Sequence, residues 1–211
     1  MTLTAQLKAL ADGSVKRHPG AAQDIMKAAI DELSQTTIIE NALKTGDPIP
    51  RIQLSNAKGE LVDVQELLQK QKLVLTFYRG GWCPYCNLEL KALENALSEF
   101  EAKGAGLIAI SPELPDNSLT TVEKNELSFE VLSDVNNQVA EAFNLVFTLP
   151  DSLQTLYKKF KIDLDSNQGN TSQQLPIAAT YVIDQDGIIT YHFLQEDYKL
   201  RADPTEILAA I

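Results

Sequence analysis

The residues able to do chemistry concentrate in one stretch, Phe77-Tyr78-Arg79-Gly80-Gly81-Trp82-Cys83-Pro84-Tyr85-Cys86. Its two cysteines are the only ones among 211 residues. Two thiols separated by two residues can alternate between dithiol and disulfide if the sulfurs meet and one of them ionises. Pro84 favours the first turn of a helix, which puts Cys83 at or near the N-cap and Cys86 in that turn. Unpaired amides and the positive end of the helix dipole then stabilise a thiolate. Arg79 adds a cation, and no carboxylate occurs from Leu73 through Leu88. At least one thiol is therefore expected to be more acidic than a free cysteine. One sulfur can attack an electrophile while the other resolves the product, and with no third cysteine any internal disulfide must join Cys83 to Cys86.

Other uses of the pair fit less well. A structural metal site usually takes four ligands, and the only further soft ligands are His18 and His192, far away in sequence. No metal and no cofactor is expected. A purely structural disulfide would close a tiny loop and remove little unfolded-state entropy. Free cysteines are often inert and buried, but the strand, double-glycine turn and helix start argue for chemistry. Arg79, Cys83 and Cys86 are thus the candidate catalytic residues, and Trp82, Pro84 and Tyr78 the candidate substrate-binding ones. Trp82 is expected to pack over the mouth of the site, and Tyr78 reads equally as core. Glu89, one turn after Cys86, suits a salt bridge as well as proton handling. His192 reads as a hydrogen-bonding group on a strand, and Asp184 and Asp186 as shapers of a turn.

The elements that must position this stretch are legible around it. Leu73-Val74-Leu75-Thr76-Phe77-Tyr78 is an uncharged run of strand length, as a buried central strand requires. From Pro84 to about Lys103 a helix is expected, with Leu90, Leu93, Leu97 and Phe100 on one face, ended by Gly104. Gly106–Ser111 is the next strand, followed by a helix near Leu119–Leu127, a short strand at Phe129–Leu132 and a helix at Asn136–Phe143. A helix over Leu153–Phe160 precedes a polar segment, Asp163–Gln174, that reads as a loop. Thr180–Ile183 and Ile188–Phe193 flank Asp184-Gln185-Asp186-Gly187, a strong hairpin signal. A helix over Pro204–Ile211 closes the chain. This order predicts an α/β fold with a central mixed sheet covered by helices on both faces.

Two prolines in Gly46-Asp47-Pro48-Ile49-Pro50 break any helix, so the chain is expected to divide into a helical N-terminal appendage, 1–45, and a main domain, 46–211. The appendage carries five acids and five bases. The chain as a whole carries 29 acids against 18 bases, a net charge of −11. Such a surface repels phosphate backbones and anionic lipid, arguing against nucleic acid and membrane partners. Residues 1–20 lack the apolar core of a signal peptide, and no apolar run approaches the roughly 20 residues of a bilayer span. A cytoplasmic location is expected, where a CxxC pair is more often catalytic than structural. The apolar spacing of 1–45 fits either a cover for the sheet edge or a homodimer interface.

The cysteine stretch FYRGGWCPYCNLEL resembles the peroxiredoxin-like branch of the alkyl hydroperoxide reductase/thiol-specific antioxidant family, within the thioredoxin fold. The resemblance extends from about Leu43 to the end and includes Gly46-Asp47-Pro48-Ile49-Pro50, Ile110-Ser111-Pro112-Glu113, Val131-Leu132-Ser133-Asp134 and Ala179–Asp184 with Gly187. It implies a thioredoxin-like fold and thiol-dependent reduction of hydroperoxides, with electrons returned by thioredoxin or a similar dithiol protein. Typical members carry a proline after the Phe-Tyr pair and a threonine three residues before the peroxidatic cysteine. Laid on this chain without a gap, Arg79 takes the place of the proline, Cys83 that of the threonine and Cys86 that of the cysteine. Glu89 then matches a glutamate common in the family. Read as a thioredoxin, Cys83 is the nucleophile and Cys86 resolves; the sequence leaves both assignments open. Ala178 stands where peroxiredoxins usually place a peroxide-polarising arginine, with Pro176 two residues earlier. The second cation of the site is therefore expected to be missing, with Arg79 a partial substitute. A thioredoxin-like disulfide reductase and a non-enzymatic redox sensor are the competing readings.

Overall fold

In the computed structural model, which describes residues 1–211, the chain opens with helices α1 (Leu3–Arg17), α2 (Ala21–Ser34) and the single turn α3 (Ile38–Asn41). Next come β1 (Gln53–Asn56), β2 (Leu61–Asp63), α4 (Val64–Leu68), β3 (Lys72–Phe77), α5 (Pro84–Ala102), β4 (Ala105–Ser111), α6 (Pro115–Asn125) and β5 (Glu130–Ser133). The last part holds α7 (Gln138–Ala142), β6 (Val146–Thr148), α8 (Asp151–Lys159), α9 (Leu164–Gln168), β7 (Gln174–Pro176), β8 (Ala179–Ile183), β9 (Ile189–Leu194) and α10 (Pro204–Ala210). Seven strands form one mixed sheet in the order β2-β1-β5-β4-β3-β8-β9. Within it β3 runs parallel to β4 and antiparallel to β8. The sheet and its helical covering match the architecture expected from the sequence.

Side-chain alternation along β3 separates two cores. Leu73, Leu75 and Phe77 face a cluster completed by Val64 and Leu68 of α4 and by Val139 and Phe143. Val74 faces the opposite cluster, with Leu90, Leu93 and Phe100 of α5, Ile207 of α10 and, from the appendage, Leu3 and Leu7. Thr76 shares that face, and its buried hydroxyl donates to Glu89 at 3.2 Å. Residues 1–45 therefore pack on the main body at three places: Leu3 and Leu7 in the cluster that contains both cysteines, Leu33 and Ala42 in the opposite one, and Met26 in a smaller cluster with Leu153 and Leu156 of α8. The linker that follows, and not the helices, borders the edge strand: Gly46 donates its N–H to Ile189 O at 2.8 Å, and Ile49 to Gly187 O at 2.9 Å. No helix is long and apolar enough to cross a membrane.

The differences from the sequence expectation are local. Asp163–Gln174 is not a plain loop, because Asp163 caps α9 through Ser166 N and Gly169 ends it in a left-handed conformation. The helix expected over Asn136–Phe143 forms only from Gln138, since Asn136 and Asn137 take φ of 70° and 58°. The helix expected near Leu119 begins four residues earlier, with Pro115 in its first turn. Pro176 lies in β7, paired with Val146, and every peptide bond is trans.

Candidate active site

Between β3 and α5 the chain must reverse within six residues, and the two glycines make this possible. Gly80 has φ 144° and lies beneath the Trp82 indole, and a Cβ on Gly81 would collide with the Thr121 hydroxyl. The turn is fastened from both sides. Glu113 accepts from Gly81 N at 2.9 Å, while Asn87 Nδ2 donates to the carbonyls of Gly81 and Cys83 at 2.8 and 3.0 Å. Cys83 then occupies the N-cap of α5, Pro84 opens the helix and Cys86 sits in its first turn.

Both thiols are free, and their residues are 1% and 0% exposed. Their surroundings differ. Cys83 borders a cavity of about 340 Å³ that Arg79, Trp82 and Pro84 also line. Cys86 lies behind it, accepting a hydrogen bond from Arg201 Nη2 at 3.3 Å. Burial by itself raises the Cys83 thiol, but hydrogen bonding from Cys86 and the charges of Arg79 and Arg201 outweigh it and bring the group down to about 6. Burial and the neighbouring Cys83 push Cys86 the other way, well above the usual thiol range. The opposite directions of the two shifts favour ionisation of Cys83 over that of Cys86.

Arg79 is 3% exposed and boxed by aromatic rings. Its guanidinium lies 5.0 Å from the Trp82 ring, 5.7 Å from Tyr157 and 4.3 Å from Tyr198. It donates to the Tyr157 hydroxyl. Its Nε–H has no protein acceptor, so a buried cation with a free donor stands at the same cavity as Cys83. Cation–π contacts of this kind contribute about 0.5–2 kcal/mol each, and they hold Arg79 without neutralising it.

Arg201, from the segment before α10, is the residue that the sequence did not reveal. The structure thus corrects the expectation of a missing second cation. Ala178 is indeed no cation, but Arg201 arrives from elsewhere in the chain. It is fully committed: Nε donates to Glu89 Oε2 at 2.5 Å, and Nη1 donates to the carbonyls of Tyr198 and Leu200 at 2.5 and 2.6 Å. Glu89 is accordingly half of a buried ion pair, with both side chains 1% exposed. Burial pushes the Glu89 carboxyl up to about 7 against the pull of Arg201. Glu113, likewise buried beside the turn, is raised to about 7. The run Leu73–Leu88 carries no acid, yet folding brings two carboxyls to its back.

Tyr78 is fully buried and is absent from the cavity lining. It packs in the cluster that contains both cysteines but does not line the cavity that Trp82 and Pro84 border. His192 accepts from Thr45 N at 3.1 Å, and Asp184 Oδ1 accepts from Asp186 N and Ile188 N within the hairpin turn. Neither touches the cysteines.

Known proteins resemble this chain in sequence and in fold. The Peroxiredoxin Bcp of Escherichia coli K12 is 31% identical over 105 residues, covering 50% of this chain and 67% of its own. The Putative peroxiredoxin bcp of Haemophilus influenzae is 32% identical over the same length and shares. Among solved structures, the peroxidoxin BcpB of Mycobacterium tuberculosis superposes with a TM-score of 0.63 at 22% identity, over 80% of this chain and 96% of that one. The reduced Prx3 of Vibrio vulnificus gives 0.63 at 18% identity, over 80% and 98%. These two establish the fold. The segment that carries the sheet and both cysteines, residues 45–192, matches the AhpC/TSA family, and the chain belongs to that family.

Proposed function

We propose that the chain is a thiol-dependent peroxidase in which Cys83 attacks the hydroperoxide and Cys86 resolves the product. The observation that carries the order of the two sulfurs is that Cys83, and not Cys86, borders the cavity. The relatives named as peroxiredoxins support the reaction class. The Cys83 thiolate attacks the terminal peroxide oxygen and the O–O bond breaks. The departing alkoxide or hydroxide, stabilised by the positive charge of Arg79 at the cavity, takes a proton from solvent. Cys83 is left as a sulfenic acid. Cys86 then displaces its hydroxyl, releasing water and forming the Cys83–Cys86 disulfide. Arg201, 3.3 Å from the Cys86 sulfur, stabilises the thiolate needed for that step. Thioredoxin or a similar dithiol protein reduces the disulfide and is itself oxidised.

Peroxide turnover coupled to thioredoxin and its reductase tests this reading, with Cys83→Ser and Cys86→Ser measured separately. Cys86→Ser should still form a trappable sulfenic acid, and Cys83→Ser should not; the reverse pattern makes Cys86 the attacking residue. Stoichiometric hydroperoxide should remove two hydrogens from the reduced protein by intact mass. Survival of the peroxide with no mass change, together with reduction of insulin, would make the chain a disulfide reductase.

A further inference from the structure

We infer that α1 and α2 form the selectivity wall of the peroxide cavity, directing it to hydroperoxides with a bulky apolar carbon skeleton in preference to hydrogen peroxide. This rests on the peroxidase reading above. The cavity of about 340 Å³ falls in the range of roughly 300–1,000 Å³ that takes small organic molecules. A water molecule occupies about 30 Å³ of liquid, so hydrogen peroxide, two oxygens in size, leaves most of the space unfilled.

Most of the surface open to the substituent of a hydroperoxide is apolar. Leu10 of α1 and Met26 of α2 border the cavity together with Phe160 and Ile162 from the segment after α8, while Ser14 and Arg17 of α1 and its cap His18 add polar groups to the same lining. Removing an apolar substituent from water against such a wall contributes about 25 cal/mol per Å² buried. Hydrogen peroxide has no apolar surface with which to gain this. At the reacting end, the Arg79 guanidinium and the Cys83 sulfur supply the polar contacts.

The wall is also anchored. His18, the C-cap of α1, packs its ring 4.6 Å from that of Phe160. Met26 Sδ accepts from the Tyr198 hydroxyl at 3.4 Å, and Tyr198 is the ring closest to the Arg79 guanidinium. Leu3 and Leu7 are buried in the cysteine cluster. A wall tied in this way to the residue that polarises the peroxide is a preformed surface, which lowers the ordering cost of binding.

The experiment compares kcat/KM for hydrogen peroxide and cumene hydroperoxide in the full chain, Leu10→Trp and Ile162→Trp, the last narrowing the cavity from the other side. In parallel, cumyl alcohol is used to protect Cys83 from iodoacetamide. Wild type should favour cumene hydroperoxide by at least about tenfold, and either folded variant should lower that ratio by about tenfold, as a pocket changed by a few carbons does. Cumyl alcohol should protect Cys83 in wild type and protect it about tenfold less in the variants. A wild-type preference for hydrogen peroxide overturns the inference, as does a ratio that neither folded variant moves. If no peroxide is consumed at all, the peroxidase reading fails. The protection assay then decides independently whether the wall recognises an apolar carbon skeleton.

Discussion

Two cations, two thiols and two carboxyls share the interior around the start of α5, and their division of labour follows from what each one touches. Arg79 keeps a donor free and faces the cavity, whereas Arg201 spends its donors on Glu89, two carbonyls and Cys86. In the proposed mechanism Arg201 is therefore a positioning residue, hydrogen-bonded to the second thiol while its charge also lowers the first. Removing it alone leaves the Glu89 carboxylate buried without its cation, which costs about 3–5 kcal/mol. Arg201→Met is expected to lose stability on that scale in urea unfolding. Replacing both partners of a buried pair with apolar residues is often neutral, so Arg201→Met with Glu89→Met should recover most of the loss. The rate of Cys83 sulfenic acid formation should fall modestly in the double variant, while conversion to the disulfide slows more. Stopped-flow fluorescence of Trp82 with two resolved phases distinguishes this from a merely structural role, which would slow neither phase selectively once stability is restored.

The elements hold the site through a turn with little freedom to change. Gly81 approaches Thr121 of α6 so closely that a Cβ would meet its hydroxyl, and the same turn donates to Glu113 at 2.9 Å. Gly81→Ala should destabilise the protein by about 1–3 kcal/mol, the usual cost of overpacking a tight contact, and slow Cys83 alkylation by displacing the helix start. Thr121→Ala in the same chain should return part of both losses, because neighbouring substitutions that share one contact couple. Strictly additive effects would show that the contact is not the constraint. The turn, β3 and α5 were all legible in the sequence, since a long uncharged strand, paired glycines and a proline-led helix each have a local signature. Arg201 was not, because its contact with Cys86 joins residues 115 apart in sequence. Its own neighbourhood, Tyr198–Pro204, has no periodicity to mark it as interior. The five residues of α9 are too few to show a helical repeat, and β1 and β2, with four and three residues, are too short to show alternation.

At the scale of the whole molecule, a chain of net charge −11 keeps two arginines inside beside its thiols, and this couples folding to the ionisation of Cys83. The thiol falls from its ordinary 9.0 to about 6 in the folded protein. Between those values the unfolded chain holds a proton that the folded chain has released. Stability therefore gains from this group as pH rises. The contribution is absent below about 6, grows through the window and is complete above about 9. Glu89 and Glu113 act with the opposite sign, because burial raises both from 4.5 to about 7. There the folded state holds the extra proton, and stability falls as pH rises from about 4.5 to 7. Comparing reduced wild type with reduced Cys83→Ser cancels the two carboxyls, which remain in both proteins, and leaves the coupled thiol pair as the difference. Urea unfolding under strong reductant should give the two proteins a stability difference that shifts in favour of wild type between pH 5.5 and pH 8. Alkylation of Cys83 in native wild type should lose its rate over the lower part of the same window as the pH falls through 6. A stability difference that does not change with pH would mean that the Cys83 thiolate is no more favoured in the folded protein than in the unfolded chain. Arg79 and Arg201 would then not be acting on it.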